Sequence, residues 1–225
     1  MLIFAACRKQ WNATEEDMAN YGWTLYEQAS LMDINEEVDQ LKEDFQDVKK
    51  WFLNATMEDT NYQDGYNGLG WTEGKRSADQ PGHKELKEAI KHFKKGLELP
   101  QNQRMIHIVA HDILAGLTFA YSGLNKSDST RYYGDSLITL IGQKVYDKTW
   151  FFPHDSTTNY KDVHIELALA YFLIPNYGES LNHVNKIREA LDPPEQFFFV
   201  DTLTLQGQYK LAEEMERLQS YLKYE

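Results

Sequence analysis

Cysteine is nearly absent from this chain of 225 residues: Cys7 stands alone. No disulfide within the chain can therefore staple the fold. Basic charge is also short, with 23 Lys and Arg against 35 Asp and Glu and a net charge of −12. Such a surface repels phosphate backbones, so nucleic acid is not an expected partner. The densest basic stretch, Lys84–Lys95, is broken by Glu85 and Glu88 and reads as a solvated helix face. No apolar stretch approaches the ~20 residues a membrane-spanning helix needs. Strand signals are scarce. Phe197-Phe198-Phe199-Val200 is apolar enough for a strand but fits better as the lead into a last helical unit.

Catalytic signatures are missing too. There is no G-x-S-x-G, and Gly65, Gly68 and Gly70 lack the lysine and hydroxyl that complete a phosphate loop. His107 and His111 share a helix face at i, i+4 beside Asp112, a spacing that can ligate zinc. Ile108 occupies the place where a zincin needs its glutamate, and a further ligand would have to come from His83, His92 or a carboxylate brought close in space. The expectation is a non-enzyme with no metal and no cofactor, the histidine pair being kept as an outlying hydrolase reading.

What the chain does have is a core. Hydrophobic residues make up 42% of it, with 14 Tyr and 11 Phe, which argues against wholesale disorder. Their spacing recurs. Val48, Phe52 and Ala55 are separated by four and three residues, and Ala89, Phe93 and Gly96 repeat the pattern. Tyr66, Leu69 and Gly70 place an aromatic, a leucine and a close-packing glycine on another helix. Gly116, Phe119 and Gly123 lead to Gly134, Ile138 and Ile141, and Leu167, Ala168 and Tyr171 lead without a gap to Tyr177, Ser180 and Val184. Gly207, Tyr209 and Ala212 begin a fifth set, and Glu213 to Tyr224 is amphipathic, as a capping helix would be.

Helix limits follow from local chemistry. Thr14 followed by Glu15, Glu16 and Asp17 marks a helix start, and that helix runs to about Met32. A second begins near Asp44 and ends before Asn61, after an acidic stretch that is a loop or a polar continuation. Ser77–Lys84, with Pro81 and Gly82, reads as an interhelical loop. Asp192-Pro193-Pro194 closes the fourth unit.

Counted at a period of ~34 residues, these sets resemble tetratricopeptide repeats over roughly residues 18–220. The competing explanation is an unrelated helical bundle whose heptads mimic the pattern. The resemblance implies an all-α, right-handed superhelix of tandem helical hairpins, a TPR-like α-solenoid of four to five repeats. It also implies a concave groove lined by the first helix of each repeat. Asn67, Trp71 and Lys75 would line it in the second unit; Ile113, Leu117, Ala120 and Tyr121 in the third; Ile165, Leu169, Phe172 and Leu173 in the fourth. That wall is too apolar to clamp a charged C-terminus. It calls for a protein or peptide partner, a subunit contact, an apolar ligand, or filling by the aromatic segment Tyr146–Tyr160, which carries Trp150-Phe151-Phe152-Pro153.

The first residues complete the reading. Leu2–Ala6 is apolar, ends in two small residues and precedes Cys7, Arg8 and Lys9. This is similar to the end of a bacterial lipoprotein signal, although the basic n-region is missing and the apolar stretch is short. The alternative is an accidental apolar N-terminus. The resemblance implies a remnant signal and tether over residues 1–13, one helical-repeat domain over 14–225, lipidation of Cys7 and attachment to a membrane in the bacterial envelope, with the domain in the periplasm. The expected function is a non-catalytic protein-binding scaffold, like repeat-containing lipoproteins of outer-membrane assembly and pilus biogenesis. The alternative is a hydrophobic-ligand-binding component associated with a periplasmic solute transporter.

Overall fold

The computed structural model describes residues 13–31, 38–77, 83–100, 108–143 and 150–223. Among them are nine helices and no strand: α1 (Glu15–Ser30), α2 (Val38–Glu58), α3 (Gln63–Arg76), α4 (Lys84–Leu97), α5 (Val109–Gly123), α6 (Ser127–Gln143), α7 (Tyr160–Leu173), α8 (Tyr177–Glu189) and α9 (Leu205–Leu222). None of these is long and apolar enough to cross a membrane.

Thr14 caps α1 as its sequence requires. Its hydroxyl oxygen accepts from the Asp17 N–H, and the Asp17 carboxylate accepts from the Thr14 N–H at 3.0 Å. Asn159 and Asp162 build the same reciprocal box at the start of α7. In the acidic stretch before Asp44, residues 38–43 are helical, so of the two expectations the polar continuation forms and α2 begins six residues before Asp44. The fifth unit also differs. Gly207, Tyr209, Ala212 and the amphipathic tail as far as Leu222 lie on one uninterrupted helix, α9, rather than on two elements. Nothing between Ala212 and Glu213 breaks a helix, so the last unit and the expected capping helix are continuous.

Successive helices pack as pairs, α1 with α2, α3 with α4, α5 with α6 and α7 with α8. The odd-numbered helices also pack on one another in series, from α1 to α9. The recurring Phe and Gly residues explain how. The Phe52 ring lies against Gly22 and Gly68, where a Cβ on Gly68 would stand 2.2 Å from it. Phe93 lies against Gly70 and Gly116, where a Cβ would meet its ring at 2.3 and 2.2 Å. The second helices of the first two pairs, α2 and α4, thus each key a ring into glycine notches on two consecutive first helices.

The core falls into two clusters. The first runs from α1 to α7 and includes Trp150 and Phe152 from the connection between α6 and α7. The second joins Ile165 and Ala168 of α7 to Val184 and Ile187 of α8 and to Leu211, Met215 and Leu218 of α9. Between α8 and α9 the chain is extended. The Asn185 side chain holds it by accepting from the Phe198 N–H at 2.6 Å and donating to the Phe198 C=O at 3.0 Å. Arg188 and Arg217 pair with Glu195 and Glu214 beside it.

Candidate binding site beneath the 150–160 strap

A tripeptide recurs on the first two odd-numbered helices: Gly22-Trp23-Thr24 on α1 and Gly70-Trp71-Thr72 on α3. The glycines accept the Phe rings described above, and the threonine hydroxyls turn back into their helices. Thr24 donates to the Asn20 C=O at 3.0 Å and Thr72 to the Gly68 C=O at 2.7 Å. Both tryptophans are then fixed at equivalent places, 3% and 8% exposed.

Residues 150–160 form a strap that lies over them. It is a tight turn of its own: the Phe152 N–H donates to the Thr158 C=O at 2.9 Å and the Tyr160 N–H to the Trp150 C=O at 2.8 Å. Phe152 is fully buried. Its ring stacks on Trp71 at 4.0 Å and meets Trp23 edge-on at 5.8 Å. The His154 ring stacks flat on Trp23 at 3.9 Å, and its Nδ1 lies 2.8 Å from the Glu27 carboxylate.

Polar contacts fix the strap's ends. Lys75 donates to Asp155 at 2.8 Å. Burial pushes the Asp155 carboxyl upward, but Lys75 and the Thr157 hydroxyl and N–H outweigh it and hold the group below the usual carboxylate range. The Trp150 indole N–H donates to the buried Asp112 at 2.9 Å. On α1, the Trp23 indole donates in the same way to the buried Asp64 at 2.8 Å. Trp71 Nε1, on the ring under Phe152, and Asn67 Oδ1, one helical turn before it, are among the buried atoms with no hydrogen-bond partner among the described residues.

The residues that the repeat register placed in a groove separate into three environments. Trp71 and Lys75 meet the strap directly, and Asn67 is buried one helical turn before Trp71, donating to Asp64 at 3.1 Å. Ile113 and Leu117 are fully buried in the first cluster, and a Cβ on Gly96 of α4 would stand 2.8 Å from Ile113 Cδ1. Tyr121 is half-buried, stacked on Tyr133 at 5.4 Å with the Lys94 ammonium 5.6 Å from its ring centre. Ile165, Leu169 and Phe172 belong to the second cluster; Ile165 is buried, and Phe172 packs edge-on against Tyr177 at 5.1 Å. Leu173 is exposed.

Cys7 and His107 lie outside the described residues. His111 is buried, and among the described residues no three His, Cys, Asp or Glu side chains converge as a metal site would require. Sequence reasoning missed Trp23, Asp64 and the carboxylate role of Asp112. The repeated Gly-Trp-Thr was the available signal.

A second polar feature sits between α7 and α8. His164 and His183 are both buried, with their Nδ1 atoms 2.8 Å apart. Tyr171 stacks on His183 at 5.4 Å and donates its hydroxyl to Asp135 at 2.7 Å. Burial, with the neighbouring His183 and Lys186, pushes the His164 imidazole down to about 3. Burial also lowers His183, against the pull of Asp135 and Glu179.

No protein-family model and no curated protein matches this chain, so the geometry carries its functional reading.

Proposed function

We propose that this protein is a non-catalytic scaffold of the bacterial cell envelope, a TPR-like α-solenoid that binds a protein partner along the face formed by its odd-numbered helices. The observation that supports this most is the strap. A short segment with aromatic anchors already lies across α1, α3 and α5, contacting them as a bound peptide would. From the predicted set Trp71 and Lys75 contact it directly, Asn67 lies one helical turn before Trp71, and Tyr121, Leu169 and Phe172 continue the face. Attachment through a lipidated Cys7 would hold the scaffold at a membrane, with acyl chains contributing ~0.8 kcal/mol per buried CH₂.

The half-buried Leu169 and Phe172 and the exposed Leu173 favour one second reading, in which that end of the face carries an apolar ligand. Leu169→Glu separates the possibilities. A partner crosslinked to the full-length protein in the envelope should be recovered at least tenfold less with this variant, while its helical circular dichroism stays unchanged. Undiminished recovery argues against the face as the partner surface. Mass spectrometry of the purified protein tests the anchor, since a lipidated Cys7 carries the added acyl mass.

A further inference from the structure

Trp23 and Trp71 occupy equivalent places, yet only one of their indole N–H groups is satisfied. Trp23 donates to Asp64, which lies 41 residues further along the chain. The residue the same distance beyond Trp71 is Asp112, and α5 carries it as α3 carries Asp64. In the structure that carboxylate accepts from Trp150 of the strap instead. Trp71 Nε1 is left without a partner in a residue 8% exposed, and Asn67 Oδ1, one helical turn before it, is left so in a residue 1% exposed. Buried polar atoms are rarely left unpaired, so the unpaired indole N–H of the ring under Phe152, with a second unpaired atom one turn before it on the same helix, points to a second arrangement of the site.

The contacts define what that arrangement takes. Phe152 fills the slot between the two tryptophans, and Asp155, three residues on, meets the Lys75 ammonium at its rim. We infer that the strap is a displaceable intramolecular ligand, and that the slot beneath it binds an extended peptide segment carrying an aromatic residue and, three positions later, a carboxylate. This rests on the scaffold reading above and names the chemistry of its partner. When the strap leaves, Trp150 releases Asp112 to Trp71, which then pairs as Trp23 does with Asp64. Asn67 Oδ1, unpaired one helical turn before Trp71, would be the acceptor for a backbone N–H of the incoming segment. The aromatic enters between Trp23 and Trp71, where stacking and edge-on contacts are both available, and the carboxylate takes the ion pair that Asp155 vacates.

The test uses the full-length chain with Trp150→Ala and Phe152→Ala together, which empties the slot. An acetylated octapeptide copying residues 151–158 is titrated into it by calorimetry. Binding is expected with a Kd on the order of 10 μM, at least tenfold tighter than to the unaltered chain, where the strap competes. Replacing the peptide's aspartate by alanine, or adding Lys75→Ala to the protein, should weaken binding at least fivefold. Absence of binding to a variant that keeps its helical signal overturns the inference, as does affinity that ignores the carboxylate. If the double variant does not fold, Trp150→Phe decides, because it keeps the ring and removes only the competing N–H. The octapeptide should then bind at least fivefold tighter than to the unaltered chain, and no gain overturns the inference. Failure here with Leu169-dependent partner capture intact removes the slot and leaves the scaffold; the reverse pattern removes the scaffold reading and leaves the slot.

Discussion

At the scale of single residues, the chain buries polar groups in pairs whose members are far apart in sequence. The His164–His183 contact has the sharpest consequence. A hydrogen bond between two Nδ1 atoms requires one ring to donate and the other to accept, so the buried pair is satisfied with both imidazoles neutral. The unfolded chain protonates each ring near the ordinary value of about 6.5. Below that pH the unfolded state binds more protons than the folded state. Stability contributed by His164 is therefore complete above pH ~6.5 and is lost as pH falls toward its folded value of about 3. The slope is up to about 1.4 kcal/mol per pH unit. His164→Gln keeps a hydrogen-bonding side chain but cannot titrate. Urea denaturation between pH 7 and pH 4.5 should show the native chain losing stability faster than this variant; a stability difference that does not change with pH would refute the assignment. Neither histidine attracted notice in the sequence, because nothing local marks two rings that meet only when α7 folds against α8.

At the scale of elements, the interlocking of rings and glycines is what the recurring spacing encoded. Intervals of three and four fix which residues share a helix face, so Val48, Phe52 and Ala55, or Ala89, Phe93 and Gly96, could be read as packing faces before any contact was known. Helix starts were legible where a cap was present, as at Thr14, and left open where none marks them, as in the acidic stretch before Asp44. The contacts of the strap were not legible beyond its aromatic content, since they join residues 38 to 127 positions apart. Two glycines of α3 test the interlocking directly. A Cβ at Gly70 would stand 2.3 Å from the Phe93 ring, whereas one at Gly74 meets nothing within 4 Å. Gly70→Ala should destabilise by about 1–3 kcal/mol, as overpacking of a close crossing does. Gly74→Ala should be neutral or stabilising by up to about 1 kcal/mol, because alanine is the better helix former. Equal effects in chemical denaturation would show that the Phe93 notch is not a tight fit.

At the scale of the whole molecule, the strap and the two core clusters divide the work of holding the helices together. Serial packing alone joins each first helix only to its neighbours, so coupling along such a stack is nearest-neighbour in character. The strap adds a longer connection. From one segment it reaches Trp23 and Glu27 on α1, Trp71 and Lys75 on α3, and Asp112 on α5. The second cluster, centred on Ile165, Val184, Ile187 and Leu211, contains no residue of the strap's aromatic part. Phe152→Ala should therefore do more than lower stability by the roughly 3–5 kcal/mol that an emptied aromatic site costs. The loss should be confined to one part of the chain. In native-state hydrogen exchange, amides of α1, α3 and α5 should lose protection by two or more powers of ten, while those of α8 and α9 lose less than tenfold. A uniform loss across all nine helices would mean that the two clusters unfold as one unit, and the strap would then be an ordinary part of a single core rather than a clasp on its first half.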